Sequence, residues 1–269
     1  MYPIIEIFGR QIGTYSVIAL VGMFVSFFTA FFVSKRREKI AYEDYIILCL
    51  FTVGGLFLGS HIVFGLTNLR FAKALIDSVI GLDFSTALTI FINMFGGMVF
   101  YGGFLGACFG VFLYTKIFKT INRPLAFDML SIAIPLFHVF GRVGCFFGGC
   151  CYGIEWSWGF KITNNTVNPD INGVTRIPVQ LIEAGCNLLI FLVILYLFRK
   201  GIMEGKLIYV YMLVYPVVRF ILEFFRGDEI RGELFALSTS QWISIILFMF
   251  SVARLLQMKY SSENSKSAA

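Results

Sequence analysis

The stretch GTYSVIALVGMFVSFFTAFFVSKRREK, Gly13 to Lys39, stays apolar over residues 13–34 and then turns abruptly basic. Its apolar residues are continuous instead of alternating, the pattern of a lipid-embedded helix and not of a barrel strand. A hydrocarbon core of roughly 30 Å takes about 20 such residues in a helix, so the segment reads as one span. The basic run Lys35, Arg36, Arg37 and Lys39 sets the orientation, because loops rich in lysine and arginine stay cytoplasmic. With that loop inside, thirteen basic residues fall on the cytoplasmic side and seven outside, which predicts an outer N-terminus and a cytoplasmic C-terminus. The charges follow the apolar run, whereas a cleaved secretory leader carries them in front.

The same pattern repeats along the chain. Of 269 residues, 58% are hydrophobic and only 14% charged, where a soluble domain carries about 25% charged residues. Further apolar segments lie near 45–66, 94–116, 124–147, 178–198, 206–226 and 240–258. Together they predict an all-α integral membrane protein of about seven transmembrane helices, with residues 1–258 in a single bundle. The mixed polarity of 68–93 suggests an interfacial helix or re-entrant segment, and 259–269 reads as a disordered cytoplasmic tail. No internal repeat is evident, so a transporter built from duplicated halves gains no support. The net charge of +6 is mostly this topological bias. It suits anionic headgroups; membrane lipid is the expected partner, and nucleic acid is not.

A charge within a span costs roughly 3 kcal/mol on insertion scales and marks function by default. Arg142, Arg219, Glu223 and Arg226 break the apolar pattern, and so do Asp128 and Glu183. In RFILEFFR, Arg219 and Glu223 are four apart and Glu223 and Arg226 three apart, so all three share a helix face. One reading is an ion-pair ladder that only fixes helix packing. The other has Glu223 orient the arginines while at least one guanidinium stays available, with Arg142 supplying a second from another segment. Two arginines in an apolar, outward-facing cavity take an anion between them, and the planar guanidinium fork suits phosphate. The most abundant anions at that depth are phospholipid headgroups.

Two glycine-rich runs, FGGMVFYGGFLG (Phe95 to Gly106) and GRVGCFFGGCCYG (Gly141 to Gly153), let helices approach closely. They can equally admit an acyl chain beside Tyr101 and Arg142. His61 and His138 are read as buried hydrogen-bond partners before catalysts. Cys49, Cys108 and Cys186 sit within apolar spans and serve packing. Cys145, Cys150 and Cys151 fall near the external face, where a disulfide is permitted. The CxxxxCC run has no nearby histidine pair and lacks zinc-like spacing, so no metal and no cofactor are expected.

These residues resemble a known family, prolipoprotein diacylglyceryl transferase, along nearly the whole chain. TYSVIALVG resembles its first span and places Tyr15 at a functional tyrosine; GGMVFYGGFLG resembles its glycine-rich segment. AFDMLSIAIPLFHVFGRVGCFFGGCCYG resembles its GRxGNFxNxExxG signature through Asp128, Pro135, Gly141, Arg142, Gly144, Phe146 and Gly153. RIPVQLIEA, through Pro178, Gln180 and Glu183, and then RFILEFFR and STSQWIS resemble the remaining blocks in the same order. The resemblance implies an enzyme of the bacterial plasma (inner) membrane, its active site facing outward. It would bind phosphatidylglycerol and move its diacylglyceryl group to the lipobox cysteine thiol of a prolipoprotein signal peptide.

In that picture Arg142, Arg219 and Tyr101 are catalytic. Arg142 also binds substrate, with Tyr15, Gly102, Gly103, Cys145, Cys150, Gly153, Glu223 and Arg226. The chain departs from the family pattern in carrying Tyr101 for a histidine, Cys145 for an asparagine, Cys150 for a glutamate and Ile177 for a second histidine. Two alternatives stay open: a phospholipid-dependent transferase with another acceptor, and a non-catalytic lipid-binding protein. For the cysteines, an external disulfide is expected ahead of a thiol, activated by Arg142, that accepts the diacylglyceryl group transiently.

Overall fold

The structure is a computed structural model and describes residues 1–7, 9–36, 40–166, 168–228 and 233–267. Arg37, Lys39 and Arg231, which enter the charge asymmetry, lie outside the described residues, as do the last two residues of the tail. The fold is nearly all helical. A hairpin of β1 (Ile4–Ile7) and β2 (Arg10–Gly13) leads into α1 (Thr14–Lys35), followed by α2 (Tyr42–Thr67), α3 (Ala72–Ile80), α4 (Phe84–Phe95), α5 (Phe100–Ile117) and α6 (Arg123–Gly148). A second hairpin, β3 (Glu155–Lys161) with β4 (Thr175–Arg176), precedes α7 (Val179–Lys200) and α8 (Leu207–Glu223). The short pair β5 (Glu233–Leu234) and β6 (Leu237–Ser238) then leads into α9 (Thr239–Ser267).

Among the described residues six helices, α1, α2, α5, α6, α7 and α9, are long and apolar enough to cross a membrane. The expected sixth span is α8, which is helical for 17 residues only; its helix stops at Glu223 and the chain turns. The segment 68–93 forms α3 and the short apolar helix α4. Burial is inverted relative to a soluble protein. Asp128, His138, Glu183, Asn187 and Arg219 are buried, while Phe24, Phe28 and Phe32 on α1 and Leu189 and Val193 on α7 are exposed. Apolar side chains turned outward over this many positions mark a lipid-facing surface.

The chain forms two compact units, Met1–Arg37 with Asp128–Ala269, and Glu38–Phe127. In the smaller unit, α2 and α5 meet at backbone distance. A Cβ added at Gly106 would strike the Gly55 carbonyl, and one at Gly59 the Gly102 carbonyl, so only glycine permits this approach. Gly110 likewise lies on the Phe51 carbonyl. His61 Nδ1 sits 2.7 Å from the Phe95 carbonyl oxygen, the hydrogen-bonding role expected for it.

The larger unit holds α1, most of α6, α7, α8 and α9. Gly22 of α1 packs directly on Phe140 of α6, and α8 packs against both α7 and α9. Gly201, with φ +70°, ends α7 and returns its N–H to the Leu197 and Phe198 carbonyls, while Arg199 and Lys200 occupy the last turn, where the helix dipole favours cations. Asp128 has a structural task here. Its carboxylate accepts the Gly205 N–H at 2.6 Å and the Leu207 N–H at 3.1 Å, capping α8 from α6. At the other end, Gly153 and Arg226 pair through their backbones, and the Ile154 N–H donates to the Phe225 carbonyl at 3.0 Å. The helices α6 and α8 therefore run in the same direction and are tied at both ends.

Candidate active site

Arg142 lies in the last two turns of α6, and Arg219 in the last two turns of α8. The ties between these helices bring both guanidinium groups to one carboxylate from a third helix, Glu183 in α7. Arg142 Nη2 is 2.9 Å from Glu183 Oε1, and Arg219 Nη1 is 3.8 Å from Oε2. Glu183 is 1% exposed, so the carboxylate is held by partners and not by water. Tyr215 donates to it at 3.0 Å, and His138 Nε2 lies 3.6 Å away. His138 is in turn flanked by the Tyr211 and Tyr215 hydroxyls at 3.4 and 3.5 Å, which makes it a member of this buried network.

Arg219 also pairs with Glu223 at 2.5 Å, and Ser240 at the start of α9 donates to Glu223 at 2.6 Å. Arg226 lies 3.9 Å from Glu223 and makes a two-pronged contact with Asp228, through Nε at 2.8 Å and through Nη2. The charged face read in RFILEFFR is thus continuous in space, with Asp228 as a partner the helix spacing did not disclose.

The ion pairs leave donors over. Arg142 Nε and Arg219 Nη1 are buried without a hydrogen-bond partner. Buried donors are satisfied in the great majority of cases, and two guanidinium N–H groups left over in one network form a place for an anion.

The later glycines of the signature follow Arg142 along the end of α6 and the segment after it. Tyr15 of α1 packs over Gly144 and Gly148 of α6, and Gly153 sits under the Ile177 carbonyl and Val179. Arg176 donates to the Gly153 carbonyl at 3.1 Å and to Glu155 at 3.0 Å, with its guanidinium 4.9 Å over the Tyr152 ring. It organises the loop between α6 and α7. Tyr101, Gly102 and Gly103 belong to the other unit, in the first turn of α5. Gly102 is buried against Gly59 and Val63, and Gly103 against Leu56 and Ser60, so both pack helices.

The cysteines differ from expectation. Among the described residues all six are free thiols, including Cys145, Cys150 and Cys151, for which a disulfide was expected. On a continuing helix these three would point apart, but α6 stops at Gly148. Gly149 (φ +77°) and Cys151 (φ +58°) then take left-handed conformations that fold the chain back. The Cys150 N–H donates to the Cys145 carbonyl at 3.2 Å, Gln180 Nε2 holds the Cys150 carbonyl at 2.8 Å, and the three sulfurs lie within 4.8 Å of one another. The Cys145 and Cys150 thiols, hydrogen-bonding toward Cys151, and next the Arg142 and Arg226 guanidinium groups hold the Cys151 thiol below its ordinary value, against burial.

Glu183 is the residue missed as a member of the site. Its place inside an apolar span and within the PVQLIE block was the available signal; its distance in sequence from both arginines hid the contact.

This is a multi-span helical membrane protein that buries two arginines around one carboxylate, with guanidinium donors to spare. Residues 3–257 match the family model described as prolipoprotein diacylglyceryl transferase. The chain belongs to this bacterial family. It is 30% identical to the phosphatidylglycerol–prolipoprotein diacylglyceryl transferase of Clostridium tetani over 94% of this chain and 98% of that protein. It is 29% identical to the second such transferase of Clostridium perfringens over 91% and 90% of the two chains, and 27% identical to that of Campylobacter hominis over 97% and 92%.

Proposed function

We propose that this protein transfers the diacylglyceryl group of phosphatidylglycerol to the lipobox cysteine thiol of prolipoproteins. The product is a thioether, and glycerol phosphate leaves. The reaction takes place at the outer face of the bacterial plasma membrane, with the N-terminus outside and the C-terminus cytoplasmic. The observation that carries this reading is the pair of unsatisfied guanidinium donors, Arg142 Nε and Arg219 Nη1, beside a shared carboxylate.

As the carbon–oxygen bond to phosphate breaks, negative charge grows on the departing oxygen, and cations already fixed in place stabilise it most. Glu183 and Glu223 fix them: each holds one nitrogen of a guanidinium, so a neighbouring donor of the same group is positioned before the lipid arrives. Tyr15, over Gly144, lines the approach to Arg142.

The test is complementation of cells depleted of their own prolipoprotein diacylglyceryl transferase, paired with an in vitro assay using phosphatidylglycerol and a lipobox peptide. Wild type should rescue and lipidate. Arg142→Lys, which keeps charge and loses the fork, should insert normally and lower the transfer rate by roughly 10²-fold or more, the scale of removing one transition-state donor. Well-expressed wild type that turns over phosphatidylglycerol without rescue would move the assignment to a transferase with another acceptor. Phosphatidylglycerol bound and never turned over would leave only a lipid-binding protein.

A further inference from the structure

The folded-back turn after α6 gathers three sulfurs that the transfer chemistry above does not use. Cys145 is buried, Cys151 half-buried and Cys150 exposed, so the cluster is rooted in the helix end and open on one side. A metal bound to three thiolates at about 2.3 Å sets its sulfurs roughly 3.8–4.0 Å apart. Sulfurs already within 4.8 Å reach that spacing by small side-chain rotations. The backbone is fixed for it by the left-handed Gly149 and Cys151 and by the Gln180 contact to Cys150.

The cluster also adjoins the anion site. Cys145 is three residues from Arg142 on one helix face, and the Gly153–Arg226 bridge brings a second guanidinium-bearing residue beside the turn. Three thiolates on a divalent cation leave net negative charge, and arginines are its counter-ions. Meanwhile a cysteine acceptor must lose its proton, and the chain has only two histidines. His61 is bonded to the Phe95 carbonyl in the other unit, and His138 is buried among Tyr211, Tyr215 and Glu183.

We propose that Cys145, Cys150 and Cys151 hold one Zn2+ whose fourth position takes the acceptor cysteine thiol and presents it as a thiolate. The proposal rests on the transferase reading above. Zinc with three protein ligands keeps an open position, and a coordinated thiol is deprotonated outright. On binding, the acceptor S–H proton passes to water at the exposed Cys150 edge. A sulfur electron pair then forms the S–C bond to the glyceryl carbon, and the C–O bond pair leaves with glycerol phosphate beside Arg142. One thiolate and one phosphodiester become one thioether and one phosphate monoester dianion. No electron is gained or lost, and the zinc is regenerated.

The experiment uses the full chain in detergent, reduced anaerobically, with Zn2+ content measured directly and Co2+ as the optical stand-in. One metal ion per chain is expected, with a sulfur-to-cobalt charge-transfer band that shifts when a lipobox peptide is added and stays unchanged with its Cys→Ser analogue. Chelation should abolish transfer and Zn2+ restore it. Cys150→Ser, at the exposed position, should keep the wild-type melting temperature and weaken Zn2+ binding at least roughly tenfold, as losing a ligand or its support does. A reduced wild type that binds no Zn2+, or transfer that survives both chelation and Cys150→Ser, overturns the metal site while leaving the transferase standing. A bound metal whose band ignores the peptide overturns the fourth-position role. A metal site that responds to the peptide, in a protein that never transfers the lipid group, sinks the transferase reading and keeps the site.

Discussion

Replacing Glu183 with glutamine isolates what one carboxylate does between two arginines. The side chain keeps its shape and can still accept from Tyr215, so the change is one of charge. At an effective dielectric near 20, a guanidinium about 3 Å from a carboxylate gains roughly 5–6 kcal/mol, and one about 4 Å away roughly 4 kcal/mol. Arg142 and Arg219 stand at 2.9 and 3.8 Å, with Glu183 1% exposed and both guanidiniums largely buried.

Much of that gross gain offsets the desolvation of three charges. Removing one partner of a buried pair nonetheless costs roughly 3–5 kcal/mol, because the other charge stays buried alone. At roughly 2–4 °C per kcal/mol for a chain of this size, the melting temperature in detergent should fall on the order of 6–20 °C. Adding phosphatidylglycerol should recover part of the loss, since a phosphate then sits between the same guanidinium groups. Tyr215→Phe is the comparison, because it removes one hydrogen bond to the carboxylate and leaves its charge. If Glu183→Gln melts no lower than Tyr215→Phe, or ignores the lipid, the carboxylate is not the counter-ion on which both arginines depend.

Two further outcomes follow from the packing. Asp128→Ala leaves the Gly205 and Leu207 N–H groups without their acceptor; it should destabilise the fold by roughly 1–3 kcal/mol in thermal unfolding and lower the transfer rate through α8, the helix that carries Arg219. Gly106→Ala puts a Cβ onto the Gly55 carbonyl and should cost roughly 1–3 kcal/mol, seen as a lower melting temperature, whereas alanine at Gly54, where the space is open, should be neutral.

Much of this was legible in the chain. Continuous apolar runs mark helices wherever lipid is the solvent, and all seven became helices. The misjudged length of α8 has a local cause: Phe224 and Phe225 extend the apolar run, but the chain leaves the helix there to pair with the segment after α6. Arg142 and Arg219 stood out because an intramembrane charge has few innocent explanations, and the ladder in RFILEFFR followed from helical spacing. Glu183 was visible as an anomaly and invisible as a meeting point, since a contact between α6, α7 and α8 has no trace in local periodicity. The cysteines were legible only as a cluster near one face. The left-handed Gly149 and Cys151, which fold the chain back and gather the three free thiols, leave no mark in the spacing. The glycines of α5 showed that something comes close; that it is the α2 backbone, glycine against glycine, needed the structure.

The double tie between α6 and α8 has a bearing on how the site meets its surroundings. Lateral pressure and bilayer thickness act on helices by tilting and sliding them, yet these two share a cap at one end and a backbone bridge at the other. The gap between their arginines is therefore a fixed gauge, set by the chain and indifferent to the mechanical state of the lipid around it. If the headgroup is held there as proposed, selection falls on the headgroup spacing that the two ties set, and not on the tails.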